Sequence, residues 1–268
     1  MTKLKYAFID AYVIAQRNII RIKRVPEILV FVLISPIMFV LLFAYVFGSA
    51  IDIPGGSYRE FLIGGIFAQT VVFGATFTGA GLAEDMQKGI INRFRSLPMS
   101  PSAVVMGRTA SDVIYNSLTL VIMALTGLLV GWRIRSSFWD AVLGFALLLL
   151  FAYAFSWMMA LVGLVVPSVE VVNNASFIVI FPLTFIANTF VPSDGLPGPL
   201  RVFAEWNPIS ALTQAVRELF GNIPAGTPPP DVWPLQNPVV YSLIWVGLII
   251  AIFAPLSIAR YQRVTAKS

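Results

Sequence analysis

Six long apolar stretches dominate this chain: Ile28–Ala50, Phe61–Ala83, Ala103–Gly131, Ala141–Val166, Val171–Val191 and Val239–Ala259. Each reaches the roughly 20 apolar residues that a helix needs to cross a hydrocarbon core. Only the third holds charges, Arg108 and Asp112 near its polar start. With 58% hydrophobic and 12% charged residues in 268, well below the roughly 25% charge of soluble domains, the chain has too much apolar surface for a soluble fold of this size. The spacing predicts an all-α membrane protein with six transmembrane helices.

The basic residues orient it. With the N-terminus inside, the inner segments carry thirteen Lys and Arg and the outer segments five, Arg59, Arg133, Arg135, Arg201 and Arg217. That bias is the positive-inside pattern, so both termini are expected on the cytoplasmic side. No small-residue cleavage site follows the first apolar run, so the lead does not read as a signal peptide.

Three segments outside the spans have structure of their own. In the lead, residues 1–27, Leu4, Phe8, Ala11, Ala15, Ile19 and Ile22 recur at helical spacing with Lys3, Asp10, Arg17, Arg21 and Arg24 elsewhere on the wheel. This predicts an amphipathic interfacial helix against lipid headgroups, serving as an anchor or also touching a cytoplasmic partner. The six-helix membrane domain then occupies 28–268. Within it, residues 84–98 present an apolar stripe of Met86, Ile90, Phe94 and Leu97, with Glu84, Lys88 and Arg95 off it. Glu84 and Lys88 stand in the favourable i,i+4 order. Pro98 should stop that helix, and Ser100-Pro101 reads as the cap and first residue of the next, in which Arg108 and Asp112 can pair. The segment 192–238 contains two short apolar-periodic pieces, one on Leu196, Leu200 and Phe203, the other on Ile209, Leu212, Val216, Leu219 and Phe220 after Asn207-Pro208. Both are too short to cross and read as re-entrant or interfacial outer helices.

Much chemistry is excluded. There is no Cys and no His, which removes disulfides, the usual zinc sites and His-activated nucleophiles. No Lys lies in a phosphate-binding Gly-Lys-Ser/Thr loop, so any nucleotide is expected on another chain. Mid-span positions lack ionisable residues, unlike a proton-coupled pump; sodium coupling through carbonyls and hydroxyls stays open. No metal site and no nucleic-acid partner are expected. Neutral polar residues do occur in the spans, and they serve helix-to-helix hydrogen bonding or line a cavity for amphipathic cargo. The candidate lining is Phe67, Phe73, Thr76, Phe77, Thr184, Phe185 and Asn188.

The run from Glu84 to Ser100 (EDMQKGIINRFRSLPMS), followed by Gly107-Arg108 and Asp112, resembles the signature of type-2 ABC exporter permeases, with the nearest likeness to the daunorubicin-resistance permease group. The run from Asn207 to Leu219 resembles the segment after that family's fifth span. The resemblance implies a bacterial plasma-membrane half-transporter. Its intracellular coupling helix, Glu84 to Leu97, would seat in a cytoplasmic ATP-binding cassette ATPase that holds ATP and Mg; this chain would bind no cofactor and catalyse nothing itself. Glu84, Asp85, Lys88, Gly89, Arg93, Phe94, Arg95, Leu97 and Arg108 would serve coupling, and a second permease, identical or related, would complete the pathway. A non-transporting scaffold that recruits a cytoplasmic partner and a sodium-coupled carrier are the alternatives.

Overall fold

A bilayer offers the backbone no hydrogen-bonding partner, so spanning segments must satisfy their own amides, and an apolar stretch becomes a helix. The computed structural model describes residues 9–18, 20, 34, 37–47, 57–95, 101–166, 168–223, 226–228 and 230–267, and among them it is all-helical, with no strand. In chain order the helices are α1 (residues 9–18), α2 (Ile37–Val46, its last part π-helical), α3 (Tyr58–Gly74), α4 (Thr76–Gln87), α5 (Ile90–Arg95), α6 (Pro101–Val130), α7 (Phe138–Val165), α8 (Val169–Phe185), α9 (Gly198–Trp206), α10 (Pro208–Phe220), α11 (Trp233–Gln236) and α12 (Pro238–Lys267).

Four are long and apolar enough to cross a membrane: Tyr58–Gln87 (α3 and α4 together), Ser102–Val130, Phe138–Val165 and Pro238–Val264. The other two expected spans are not among these four. The first, Ile28–Ala50, is described only at Ile34 and from Ile37 to Phe47, where α2 forms, and the rest of it lies outside the described residues. The fifth was expected to reach Val191, but α8 stops at Phe185 after 17 residues, about 25 Å against a core of roughly 30 Å. The reason lies in α10. The turn after α8 folds back onto it, with Asn188 N–H donating to Ser210 Oγ at 3.0 Å and Asn207 Nδ2 donating to Leu183 O at 2.7 Å.

The bundle has two ends. At the terminal end lie α1, the α4–α5 turn and the close of α12. At the hairpin end lie the α6–α7 loop and α9 to α11. Toward the terminal end, near the close of α7, α4 and α7 cross backbone to backbone. A Cβ on Gly163 would stand 2.2 Å from Gly79 O, and one on Gly79 would stand 2.7 Å from Met159 O. Small residues allow this approach, and dispersion between close backbones replaces the hydrophobic driving force that lipid does not supply.

The hairpin end is built around α10. Asn207 caps it, its Oδ1 accepting from Ile209 N–H at 2.9 Å, and Gly221 closes it at φ +69°. Ile209, Leu212, Val216 and Phe220 are wholly buried, so α10 is packed inside the bundle against α3, α7 and α12 rather than laid over it. Its end is bound to the α6–α7 loop: Trp132 Nε1 donates to Asn222 Oδ1 at 2.7 Å, Asn222 Nδ2 to Arg133 O at 2.8 Å, and Arg135 N–H to Phe220 O at 2.9 Å. In that loop Arg135 also meets Glu60 at 2.8 Å; the hydrogen bond first, and the carboxylate charge second, raise the guanidinium above its ordinary value. α9 stays at the surface, with Leu200, Phe203 and Trp206 exposed.

Candidate functional site

The terminal end gathers most of the expected coupling residues, in an arrangement the pattern alone did not give. The expected single helix from Glu84 to Leu97 is two elements. Glu84 to Gln87 form the last turn of α4, Lys88 caps it, and Gly89 at φ +65° turns the chain before α5 begins at Ile90. Only glycine enters the left-handed region without steric cost. Glu84 and Lys88 pair at 2.6 Å on the surface, as expected. Asp85, one residue on, is 3% exposed and faces inward.

Its partner is Arg17 of α1, whose Nη2 donates to Asp85 Oδ2 at 2.8 Å; the same guanidinium lies 5.0 Å from the centre of the Phe94 ring on α5. The lead helix is thus joined to both α4 and α5. Its buried side, Ala11, Ile14 and Ala15, rests on α6 at Gly107, where a Cβ would stand 2.5 Å from Ala11 O. Asn18 Nδ2 donates to Ser111 Oγ at 3.1 Å. Beneath these contacts Leu82, Ile91, Val105, Trp157, Leu164 and Tyr261 form a small apolar core drawn from α4, α5, α6, α7 and α12.

Arg108 lies one turn further into the bundle. Its guanidinium occupies the space above Gly81, where a Cβ would stand 2.0 Å away, and Nη2 donates to Phe77 O at 2.8 Å. The expected Arg108–Asp112 pair is long, 4.0 Å from Nε to Oδ1. The buried Asp112 carboxylate accepts instead from the Thr78 hydroxyl. Leu97 and the side chains of Arg93 and Arg95 lie outside the described residues.

The candidate cavity residues fall into three places. Phe67 is buried at the hairpin end in edge contact with Trp132 at 5.4 Å, Phe145 at 5.7 Å and Phe220 at 5.9 Å, and it packs helices together. Phe77 is part-exposed beside Tyr115, and Thr76 bonds back to Phe73 O at 2.7 Å. Phe73 and Phe185 belong to a third group. Along α8, Phe177, Phe181 and Phe185 recur every four residues with centroids 4.8 and 4.0 Å apart; Phe73 adjoins one end at 6.4 Å and Phe190 the other at 4.8 Å. Phe177 is exposed, and so are Asn173 and Asn174 one turn before it. Thr184 is buried and bonds to Ile180 O at 2.9 Å, and Asn188 is buried beside α10.

Sequence reasoning missed Arg17, Phe177, Phe181 and Arg217 as site residues. The i,i+4 spacing of the phenylalanines was a readable signal. Nothing local in the sequence marks Arg17 as the partner of a residue 68 positions away.

Residues 10–220 match the membrane-domain family described as ABC-2 type transporter. The chain is 32% identical over 250 residues to the daunorubicin resistance ABC transporter permease protein DrrB1 of Streptomyces coeruleorubidus, covering 93% of this chain and 85% of that one. It is 23% identical over 233 residues to a Mycobacterium tuberculosis protein named as a probable doxorubicin resistance ABC transporter permease, DrrC, covering 86% of this chain and 80% of its relative. A match over that much of the chain, on a helical bundle with four spanning-length helices, makes this protein a member of the ABC-2 type transporter family.

Proposed function

We propose that this chain is the transmembrane half of an ATP-driven exporter that moves an amphipathic, aromatic or lipid-like cargo outward across the bacterial plasma membrane. ATP and Mg are held by separate ATPase subunits, and a second permease, identical or related, completes the pathway. Both termini are cytoplasmic, so the terminal end faces the motor and the hairpin end faces outward. The carrying observation is the junction at the terminal end. The short helix α5 rests on a core shared by α4, α6, α7 and α12 and is linked to α1 through Arg17, so a displacement of α5 by the motor reaches five helices at once. Glu84, Lys88, Gly89, Arg93, Phe94, Arg95 and Leu97 form the docking surface, while Asp85 and Arg108 hold that surface to the bundle. For motion to result, the motor must bind the two permease states with different affinity.

The cargo face is the phenylalanine ladder of α8 with Phe73 and Phe77. Exposed Asn173 and Asn174 on the same helix would be costly against hydrocarbon, which supports a side turned away from lipid. Stacked rings with a few amides suit a planar amphipathic molecule, in keeping with the anthracyclines in the names of the relatives.

The test is to express the chain with its genomic neighbours, extract it gently and look for a nucleotide-hydrolysing subunit, with Arg93→Glu/Arg95→Glu alongside. A stoichiometric ATPase that the double variant loses, with cargo-stimulated hydrolysis, is the expected result. Retained association and transport in that variant refute the docking surface. An ATPase without cargo-stimulated turnover indicates a scaffold, and transport driven by a sodium gradient without ATP indicates a carrier.

A further inference from the structure

Arg217 is 2% exposed, and among the described residues it meets no carboxylate. Nε donates to Phe61 O at 2.8 Å, Nη2 donates to Thr189 O at 3.1 Å, and the guanidinium carbon lies 3.4 Å from the centre of the Phe61 ring. Gly64 and Gly65 of α3 make this possible. A Cβ on Gly64 would stand 2.9 Å from Arg217 Cγ, and one on Gly65 would stand 2.1 Å from Thr189 O. One cation therefore joins three elements, α10, the first turn of α3 and the turn after α8.

We propose that Arg217 is a positioning residue for transport, a latch that holds α10 closed across the hairpin end. The inference rests on the exporter reading, which requires that end to open. Two considerations carry it beyond ordinary packing. First, a buried cation without an anion is a poor way to gain stability, since its desolvation costs several kcal/mol and an apolar side chain of the same volume would avoid that cost. Its use is that water can take it over. When α10 separates from α3, the guanidinium passes from two carbonyls to solvent, and rehydration offsets the loss of both hydrogen bonds and of the Phe61 ring. Second, the closed seam is incompletely satisfied. The hydroxyls of Thr189 and Thr213 and the Asn188 side-chain oxygen are buried without a hydrogen-bond partner among the described residues, and each gains one when water enters. The end of α10, by contrast, is held to the α6–α7 loop by neutral bonds from Trp132 and Asn222. Opening therefore moves α10 and that loop away from α3 and the turn after α8, and it also parts Arg135 from Glu60 and Asn188 N–H from Ser210 Oγ, which water can replace.

The chain has no cysteine, so single thiols report locally. Ala187→Cys places one beside the seam, at a site 3% exposed, and Ala160→Cys places one in the core of the terminal end, at a wholly buried site. The full-length chain in nanodiscs, without nucleotide, is labelled with a maleimide. Arg217→Met should raise the rate at position 187 by about tenfold or more and leave position 160 unchanged, and Arg217→Lys, which keeps the charge, should restore most of the protection. An unchanged rate at 187 overturns the latch. A parallel rise at 160 assigns Arg217 to general stability instead, and failure of the lysine variant to protect overturns the role of charge. Labelling needs no motor and no cargo, so the latch and the exporter reading fail separately.

Discussion

Replacing Arg17 by Met should release the lead helix from the bundle, and replacing Asp85 by Asn in the same chain should largely bring it back. The Asp85 side chain is 4% exposed and that of Arg17 34%, so the pair is buried on one side only. Removing one member of a fully buried pair costs about 3–5 kcal/mol, because the other charge is left without compensation. Discounting that figure for the third of Arg17 that stays in water gives about 2 kcal/mol. Loss of the contact with Phe94 adds about 0.5–1 kcal/mol. Docking of α1 should weaken by about 2.5–3 kcal/mol, roughly a 60- to 140-fold shift at 1.4 kcal/mol per decade.

The assay is again a thiol. Ala15 is 7% exposed on the docked side of α1, and Ala15→Cys reacts with a maleimide only when that helix lifts. The Arg17→Met background should raise its labelling rate by the factor above. Arg17→Met with Asp85→Asn should fall close to Asp85→Asn alone, since an amide leaves no buried charge. Strict additivity of the two substitutions, or a rate unmoved by Arg17→Met, refutes the claim that this ion pair holds α1.

Other substitutions test the remaining contacts. Gly163→Ala forces a methyl group against Gly79 O, 2.2 Å away, and should cost about 1–3 kcal/mol; an unchanged thermal midpoint in detergent would contradict the close α4–α7 crossing. Gly89→Val places a β-branched side chain at φ +65° and should cost more than about 1 kcal/mol, whereas Gly89→Asn should be tolerated; equal ATPase co-purification with both variants would remove the need for this turn. Trp132→Phe leaves Asn222 Oδ1 without its donor and should destabilise by about 1–3 kcal/mol, read as a lower unfolding temperature.

What the sequence made legible was set by local rules. The long apolar runs marked the four spanning-length helices to within a few residues, and the apolar period after Asn207-Pro208 marked α10. Periodicity misled at the α4–α5 turn. Met86, Ile90 and Phe94 keep a four-residue step straight through Gly89, so the stripe looked continuous, although glycine just past a last helical turn is the ordinary C-terminal signal. Length misled at α8, because apolar residues 186 to 191 continue the stretch but serve the turn against α10. Arg217 falls among the outer residues of the positive-inside count, and nothing in that count foretells its burial, which is rare for an unpaired arginine. The Gly64-Gly65 gap that receives it lies about 150 residues earlier and has no local mark.

The distribution of contact types along the span from Tyr58 to Gln87 bears on how such a bundle changes state. Near one end Asp85 holds Arg17, and near the other Phe61 O and the Gly64-Gly65 gap receive Arg217. Between them Gly79 lies backbone to backbone on Gly163. Once its helix moves, a charged contact can be exchanged for water, because water is an alternative ligand for both partners. A glycine crossing between two apolar helices has no alternative partner of comparable density, so separating it forfeits dispersion outright. The contacts fit to break and re-form therefore sit at the two ends, with the permanent one between them. From Phe61 to Asp85 the helix runs about 36 Å, interrupted only at Ala75, where Thr76 bonds back to Phe73 O and Thr78 N–H to Ala75 O. A rod held at Gly79, nearer its Asp85 end, would carry a displacement at the Arg17 end to the Arg217 end. On the export cycle proposed above, the energetic control of opening would then rest in two arginines, each reachable by water once its own helix moves.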